Sequence, residues 1–166
     1  MKKENKGLFS QLQYNLNDTT YGVGARKEKV EYIYSPSSLF HRTRTHDLEG
    51  FNAGFNTSLN DSTTLFSNFN QAFQAPLIDR FFSSSGVFNG FMNPSTSKTL
   101  NLGLNYLTDK SKTKVTIYRS NIEDEMYYDK PGGKNTNLDE SHKQGLELHN
   151  LFEVTPKFST NINYAY

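Results

Sequence analysis

Hydrophobic and polar residues alternate along most of this chain with a period of two. The clearest example is GLFSQLQYNL, in which Leu8, Leu12 and Leu16 share one face while Gln11 and Gln13 lie on the other. The same alternation recurs in GFNAGFNTSLN, TLNLGLNY, GLELHNLFEV and KFSTNINYAY. A period of two is typical of β-strands with one apolar and one polar face. We therefore predict a strand in each of these five segments.

Three further strands are predicted from less regular alternation, at residues 20–34, 64–73 and 113–128. In the first of them, the face that begins with Tyr21 becomes charged at Lys27, so the strand is expected to leave its apolar surroundings there. In the third, Arg119 interrupts the face that carries Ile117, which fits either a β-bulge or a strand end. No segment has a period of 3.6, so the prediction is eight strands and no helix.

The connections between the predicted strands alternate between short and long. The short ones, NDTT, NDST, DKSK and TPK, consist of turn-forming residues. The long ones are SPSSLFHRTRTHD, LIDRFFSSSGVFNGFMNPST and DKPGGKNTNLDE. This order predicts an array of hairpins with all short turns at one end and all long loops at the other.

The polar faces of the strands favour a membrane barrel over a soluble sheet. They consist mainly of Asn, Gly, Ser, Gln and Thr, whereas a soluble sheet normally carries Lys and Glu on its wet face. Only 34% of the residues are hydrophobic, and the aromatic residues, 14% of the chain, are all Phe or Tyr. The expected fold class is all-β, an antiparallel transmembrane β-barrel segment of about eight strands. A soluble β-sandwich, which also has short alternating strands, remains the alternative.

Composition also limits the partners. The net charge of +1 gives no reason to expect nucleic acid as a partner, and the absence of cysteine leaves no disulfide or thiolate metal site. No apolar run reaches the roughly 18 residues of a transmembrane helix. Lys2 and Lys3 are not followed by the apolar stretch of a signal peptide, so no secretion signal is expected in this chain.

Five short motifs occur in an order that resembles a known family. They are GAR at 24–26, FQAP at 73–76, PSTS at 94–97, IED at 122–124 and GLE at 145–147. The series resembles the C-terminal half of the barrel of TonB-dependent outer-membrane receptors, in which a strand ending in Phe-Arg-Ala-Pro is followed by a loop and a Pro-Glu-x-Ser motif. Gln74 and Ser95 depart from that pattern. The resemblance extends from Gly7 to Tyr166.

The resemblance implies a transporter of the outer membrane, surrounded by its lipid, and not an enzyme. Such receptors import ferric siderophores, haem or cobalamin, which bind at the outer loops above a plug that the energised TonB complex displaces. Residues 1–166 are expected to be a partial barrel domain without a plug, a TonB box or a signal peptide, so the TonB complex would act only through the missing plug. A small closed eight-stranded barrel with a structural or adhesive role and a soluble β-sandwich binding module are the alternative functions. No cofactor is expected.

Two groups of residues in the long loops are candidates for ligand binding. The segment LFHRTRTH places His41, Arg42 and Arg44 in a predicted outer loop, where they would attract an anionic siderophore or the phosphate of cobalamin, or would simply be solvated. The second group, in the loop after Pro76, offers an aromatic ligand-binding surface or packs the loop on itself; it comprises Phe81, Phe82 and Phe88.

The sequence gives little support for metal binding or catalysis. The acidic segment IEDEMYYD could hold calcium near the outer loops, but it lacks the spacing of a known calcium loop and is also what a strand leaving the membrane would carry. His41 and His46 are too isolated to predict a metal site. No arrangement of Ser, His and Asp or of paired carboxylates suggests an enzyme.

Overall fold

A computed structural model describes all residues from Met1 to Tyr166 and shows one antiparallel sheet of eight strands. Each strand pairs with its neighbours in the sequence. The only helical element is a single 3₁₀ turn, and no helix is long and apolar enough to cross a bilayer. The all-β prediction with eight strands is confirmed. The elements are β1 (Lys2–Leu16), β2 (Thr19–Ser37), β3 (Phe40–Asn60), β4 (Thr63–Gln74), the 3₁₀ turn (Ile78–Phe81), β5 (Ser95–Leu107), β6 (Ser111–Asp129), β7 (Lys134–Thr155) and β8 (Phe158–Ala165).

The four short turns lie where the sequence predicts them, but two of the three long loops are largely strand. β2 continues to Ser37 and β3 begins at Phe40, so the segment SPSSLFHRTRTHD forms the tip and one side of a hairpin. The segment DKPGGKNTNLDE likewise contains only a turn at residues 130–133 between β6 and β7. Residues 75–94 are the one long irregular connection, and we call them the aromatic loop.

The sheet is open and forms a single layer. β1 pairs only with β2, and β8 pairs only with β7. Only 12 of the 166 residues are buried, whereas a β-sandwich buries the inner faces of two packed sheets. The alternative of a soluble sandwich is therefore wrong, and the chain does not form the closed eight-stranded barrel that was the other alternative.

The register places the apolar residues of neighbouring strands on one face of the sheet. Leu102 of β5 lies opposite Ile117 of β6, and Ile117 lies opposite Leu146 of β7. Between β4 and β5, Phe69 lies opposite Leu100. Directly opposite residues of an antiparallel pair point to the same side. The result is a continuous apolar band, which we call the outer face, and a polar inner face behind it.

The apolar band drifts along the register from one strand to the next. The apolar residue of the band that lies nearest the long-loop end is Leu8 on β1 and Ile117 on β6. Through the successive ladders Ile117 is equivalent to Tyr14, so the edge of the band moves by six residues (from 8 to 14) over five strand steps. Strands about 4.8 Å apart and tilted by about 40° shift a level band by about 1.2 residues per strand. The drift is therefore what strand tilt produces.

This drift explains the position of Arg119. β6 continues through Arg119, which pairs regularly with Gln144 of β7, so the bulge or strand end predicted at Arg119 is wrong. Arg119 lies opposite Leu100, but on β6 that register position is already above the apolar band. Its guanidinium group is exposed at the edge of the band, on the same face as Ile117.

Candidate functional site

The inner face forms a neutral polar wall across the first five strands. A hollow of about 710 Å³ on this face is lined by 16 residues, none of which is ionisable. Asn101 donates a hydrogen bond of 2.8 Å from its Nδ2 atom to Oδ1 of Asn68 on the neighbouring strand. Amide side chains both donate and accept hydrogen bonds, so this wall can bind polar backbone or hydroxyl groups without selecting a charge.

Glycine keeps part of this wall flat. A Cβ atom on Gly103 would lie 2.4 Å from the backbone oxygen of Val115 and 2.4 Å from the ring of Phe66. A Cβ atom on Gly22 would meet nothing within 4 Å. Gly103 is therefore required by close packing, because the backbone oxygen cannot move aside, whereas Gly22 is not.

β3 and β4 separate towards the long-loop end of the sheet. Their ladder stops at the pair Phe51 and Gln71, while β3 continues to Phe40 with β2 as its only partner. Phe73 near the end of β4 turns towards the inner side, where the guanidinium carbon of Arg26 lies 5.4 Å from its ring centroid. The aromatic loop follows and packs on the inner face of the β2–β3 hairpin.

The aromatic loop and the β2–β3 hairpin form the hydrophobic core of the chain. Tyr32 and Phe81 are both fully buried, with ring centroids 4.8 Å apart in an edge-to-face arrangement. Phe91 completes the contact, with its ring centroid 5.5 Å from that of Phe81. The other buried members of this cluster are Val30, Leu48 and Met92. The loop is therefore held as a folded cap over the inner face.

Polar contacts fix the first end of the cap. The hydroxyl of Tyr32 donates a hydrogen bond of 2.7 Å to the carbonyl oxygen of Pro76, and Nζ of Lys3 donates another of 3.1 Å to the same oxygen. Burial, with a smaller contribution from the charge of Glu28, raises the pKa of Tyr32 to about 12. The hydroxyl therefore stays protonated and remains a donor at physiological pH.

A second set of contacts joins the far end of the cap to the β6–β7 hairpin. The backbone N–H of Asn93 donates to Oδ1 of Asn137 at 3.1 Å, and Nδ2 of Asn137 donates to the carbonyl oxygen of Asp124 at 2.7 Å. Asp124 has a φ of 54°, which interrupts the ladder there. Arg80 adds a hydrogen bond of 2.9 Å to Asn135. The cap thus spans from β2 to β7.

The predicted basic residues lie on a strand and not in a loop, which corrects their expected position. Arg42 and Arg44 are exposed on β3 and point to the inner side, opposite Tyr34 and Tyr32. His41 points to the outer side, where it hydrogen-bonds to Ser35 at 2.6 Å. The structure therefore brings the two arginines to the aromatic cap and leaves His41 away from it.

The predicted phenylalanines divide between core and surface. Phe81 is fully buried, so its ring offers no surface in this conformation. Phe82 and Phe88 are half-buried, with centroids 5.7 Å apart, and Phe88 stacks on Tyr34 at 4.1 Å. The loop packs both on itself and on β2. Sequence reasoning missed Tyr34 and Tyr32, although the alternation VEYIY places both on one face.

Two carboxylates in the acidic segment of β6 form ion pairs with different lysines. Glu123 pairs with Lys98 at 3.2 Å, and Glu125 pairs with Lys143 at 2.6 Å. Hydrogen bonds from Lys143 and Ser141 hold the pKa of Glu125 below its ordinary value. No three ligating side chains of the acid, histidine or cysteine type come together in the chain.

Comparison with known proteins agrees with this architecture. The family described as "TonB dependent receptor-like, beta-barrel" matches residues 1–166. The vitamin B12 transporter BtuB of Vibrio vulnificus (strain YJ016) is 26% identical over 158 residues, which are 92% of this chain and 24% of that protein. The chain thus spans about a quarter of that relative.

Solved structures show the same fold. The copper transporter OprC superimposes with a TM-score of 0.82 at 22% identity, over 99% of this chain and 27% of that one. The siderophore receptor PiuA from Acinetobacter baumannii gives a TM-score of 0.73 at 17% identity, over 99% of this chain and 25% of that one. The match along the whole chain, the hairpin order and the apolar outer band lead to one conclusion: the chain belongs to the β-barrel of the TonB-dependent receptor family, whose members are outer-membrane proteins and not enzymes.

Proposed function

We propose that residues 1–166 form one part of a longer receptor barrel that imports an anionic metal chelate across the outer membrane. The apolar outer band contacts the membrane lipid, and the neutral inner wall faces the lumen. All 166 residues match the barrel. We therefore assign the plug, and through it the contact with the TonB complex, to a part of the receptor outside these residues.

The positions of Arg42 and Arg44 are the observation from which we infer the class of ligand. Both guanidinium groups are exposed on the inner side of β3. Arg42 lies opposite Tyr34, whose partly exposed ring stacks on Phe88, and Arg44 lies opposite Tyr32. The Arg42 guanidinium lies 4.8 Å from the ring centroid of Phe40. Guanidinium groups bind carboxylate or catecholate oxygens in pairs, and aromatic rings stack on the flat groups of a chelate. Among siderophore, haem and cobalamin, this surface favours an anionic chelate, a ferric siderophore or haem, over cobalamin, and a ferric catecholate is the probe that we choose.

Equilibrium binding to the purified receptor tests this proposal. The double variant Arg42→Ala/Arg44→Ala is expected to weaken binding of a ferric catecholate by about tenfold or more, because each lost charge-assisted contact costs above 1 kcal/mol. Arg119→Ala is the matched control, since Arg119 is exposed on the outer face. Equal losses in the double variant and the control would contradict the proposal.

Cobalamin is the second candidate, because the vitamin B12 transporter of Vibrio vulnificus is 26% identical to this chain. Cyanocobalamin carries no net charge, so its binding should depend little on Arg42 and Arg44. Tight binding of cyanocobalamin together with no binding of ferric catecholate or haem would replace the anionic chelate by cobalamin.

A further inference from the structure

The part of β3 nearest the long-loop end, residues 40–50, has a free edge. Above the pair formed by Phe51 and Gln71, β3 has no ladder partner on the side away from β2. The aromatic loop does not supply one, since its only bridge joins Phe82 to Phe88 within the loop itself. This edge lies in the middle of the sheet, so it is distinct from the two outermost strands, β1 and β8.

The unpaired backbone groups belong to the odd-numbered residues. The carbonyl oxygen of Glu49 accepts a hydrogen bond of 3.3 Å from the side chain of Gln71, so it points away from β2. Both backbone groups of a strand residue point to the same side, and the side alternates along the strand. The free N–H and C=O groups are therefore those of His41, Thr43, Thr45 and Asp47, all of them exposed residues.

Proteins normally protect such an edge. They shorten it, interrupt it with proline or a bulge, or cover it, because an open edge is a template for another strand. Between His41 and Asp47 there is no proline, and the pairing with β2 is regular. The free edge spans about 20 Å at about 3.3 Å per residue. It is therefore long and regular enough to bind an extended segment.

We propose that this edge binds an extended acidic peptide segment of a separate partner protein, which adds a strand beside β3. The side chains next to the edge alternate in character. Arg42, Arg44 and His46 point to the inner side, and Nε2 of His46 is a buried atom with no hydrogen-bond partner. Carboxylates at alternate positions of the peptide would accept hydrogen bonds from the exposed guanidinium groups of Arg42 and Arg44, whereas the buried Nε2 atom of His46 lies out of reach of the peptide.

The two parts of this recognition can be separated. The backbone groups of Thr43 and Thr45 give affinity for any extended chain, and Arg42 and Arg44 select the acidic one. The added strand would use the same guanidinium groups as an anionic chelate. The peptide and the chelate should therefore compete for Arg42 and Arg44. The backbone hydrogen bonds of Thr45 to the peptide do not depend on whether the proposed chelate is the ligand of the receptor.

The test uses the purified receptor in detergent micelles and a fluorescent peptide in which Thr and Glu alternate. A peptide alternating Thr and Lys is the probe for charge selection. Thr45→Pro removes one N–H from the free edge without removing a hydrogen bond to β2, and Thr45→Ala is the matched control that retains the N–H. Fluorescence anisotropy measures the binding, and the ferric catecholate measured in parallel reports on the chelate site.

The acidic peptide should bind to the unmodified receptor and to Thr45→Ala, and about tenfold more weakly to Thr45→Pro. Thr45→Pro should bind the chelate normally. Arg42→Glu/Arg44→Glu should reverse the preference towards the basic peptide. The proposal is overturned if the acidic peptide does not bind, if both peptides bind equally, or if Thr45→Pro binds as tightly as Thr45→Ala.

Discussion

The hydroxyl of Tyr32 donates a hydrogen bond of 2.7 Å to the carbonyl oxygen of Pro76, 44 residues away in the chain. This contact joins the β2–β3 hairpin to the first residues of the aromatic loop. Lys3 donates to the same oxygen, so β1 is part of the same junction. The stretch FQAP, which ends a strand in the sequence, is thus also the point where the cap is attached.

Loss of this hydroxyl should loosen the cap without unfolding the sheet. Tyr32→Phe keeps the buried ring, and Lys3 still satisfies the Pro76 oxygen, so we expect a cost of about 1 kcal/mol. We expect chymotrypsin to cleave the aromatic loop of Tyr32→Phe faster than that of the unmodified protein, because the cap opens more often. Tyr34→Phe is the control, because Tyr34 contributes through the stacking of its ring on Phe88. Equal cleavage rates in both variants would contradict the assigned role of the hydroxyl.

Replacement of Gly103 should impair folding of the barrel. Gly103→Ala forces a Cβ atom against the backbone oxygen of Val115, which can only be relieved by shifting β5 or β6. Gly22→Ala meets open space and should fold like the unmodified protein. The yield of heat-modifiable folded barrel on electrophoresis is the measurement. Normal folding of Gly103→Ala would show that the strands yield more easily than the structure indicates.

A charge introduced at the level of the apolar band should destabilise the protein if it lies on the outer face but not if it lies on the inner face. Leu12 lies midway between Leu8 and Leu16 on the outer face, so Leu12→Arg should destabilise the folded protein by about 2–4 kcal/mol. Gln13→Arg, at the next residue, places the same charge on the polar inner face and should cost far less. Urea titration in lipid vesicles compares the two free energies of unfolding. Similar values would be incompatible with lipid on the outer face.

The aromatic cap should open more readily in acid because of His46. Burial, and then the charge of Arg44, lower the pKa of His46 below its ordinary value of 6.5. The open form therefore binds a proton more readily than the closed form, and the stability of the cap falls as the pH drops below 6.5 towards the lowered pKa. Hydrogen exchange of the aromatic loop across this range measures the effect.

Two histidine variants identify the group responsible. His46→Phe should abolish much of the pH dependence of loop exchange, because a group that cannot be protonated replaces the buried imidazole. His41→Phe should keep it, since His41 is exposed on the outer face. An unchanged pH profile in His46→Phe would assign the effect to another residue.

The sequence was sufficient for the parts of the fold that carry the apolar band. Alternation such as that of Leu100, Leu102 and Leu104 predicted the strands, and turn-forming residues predicted the short turns. It was insufficient beyond the apolar band, where the strands have no apolar outer face: Arg42 and Arg44 look like loop residues although they are paired in a ladder. Arg119 was misread because one strand alone carries no information about the tilt of its neighbours.

The candidate site was predictable in its composition but not in its arrangement. The basic and aromatic residues were recognised from the sequence, and the structure places Arg42 opposite Tyr34, which stacks on Phe88. Their proximity depends on the separation of β3 from β4, which admits the aromatic loop to the inner side. That separation arises from pairing over long sequence distances, and no local pattern encodes it.

The drift of the apolar band means that depth in the membrane and position in the ladder are different coordinates. Leu100 and Arg119 are direct partners across β5 and β6, yet Leu100 lies within the apolar band and Arg119 lies above its edge. In a complete substitution scan, the positions that tolerate charged residues equally well should therefore lie on lines that run diagonally across the sheet, at an angle to the interstrand hydrogen bonds. Transplanting a single strand between such barrels would then require its polar boundary to be moved by about one residue for each strand position it is displaced.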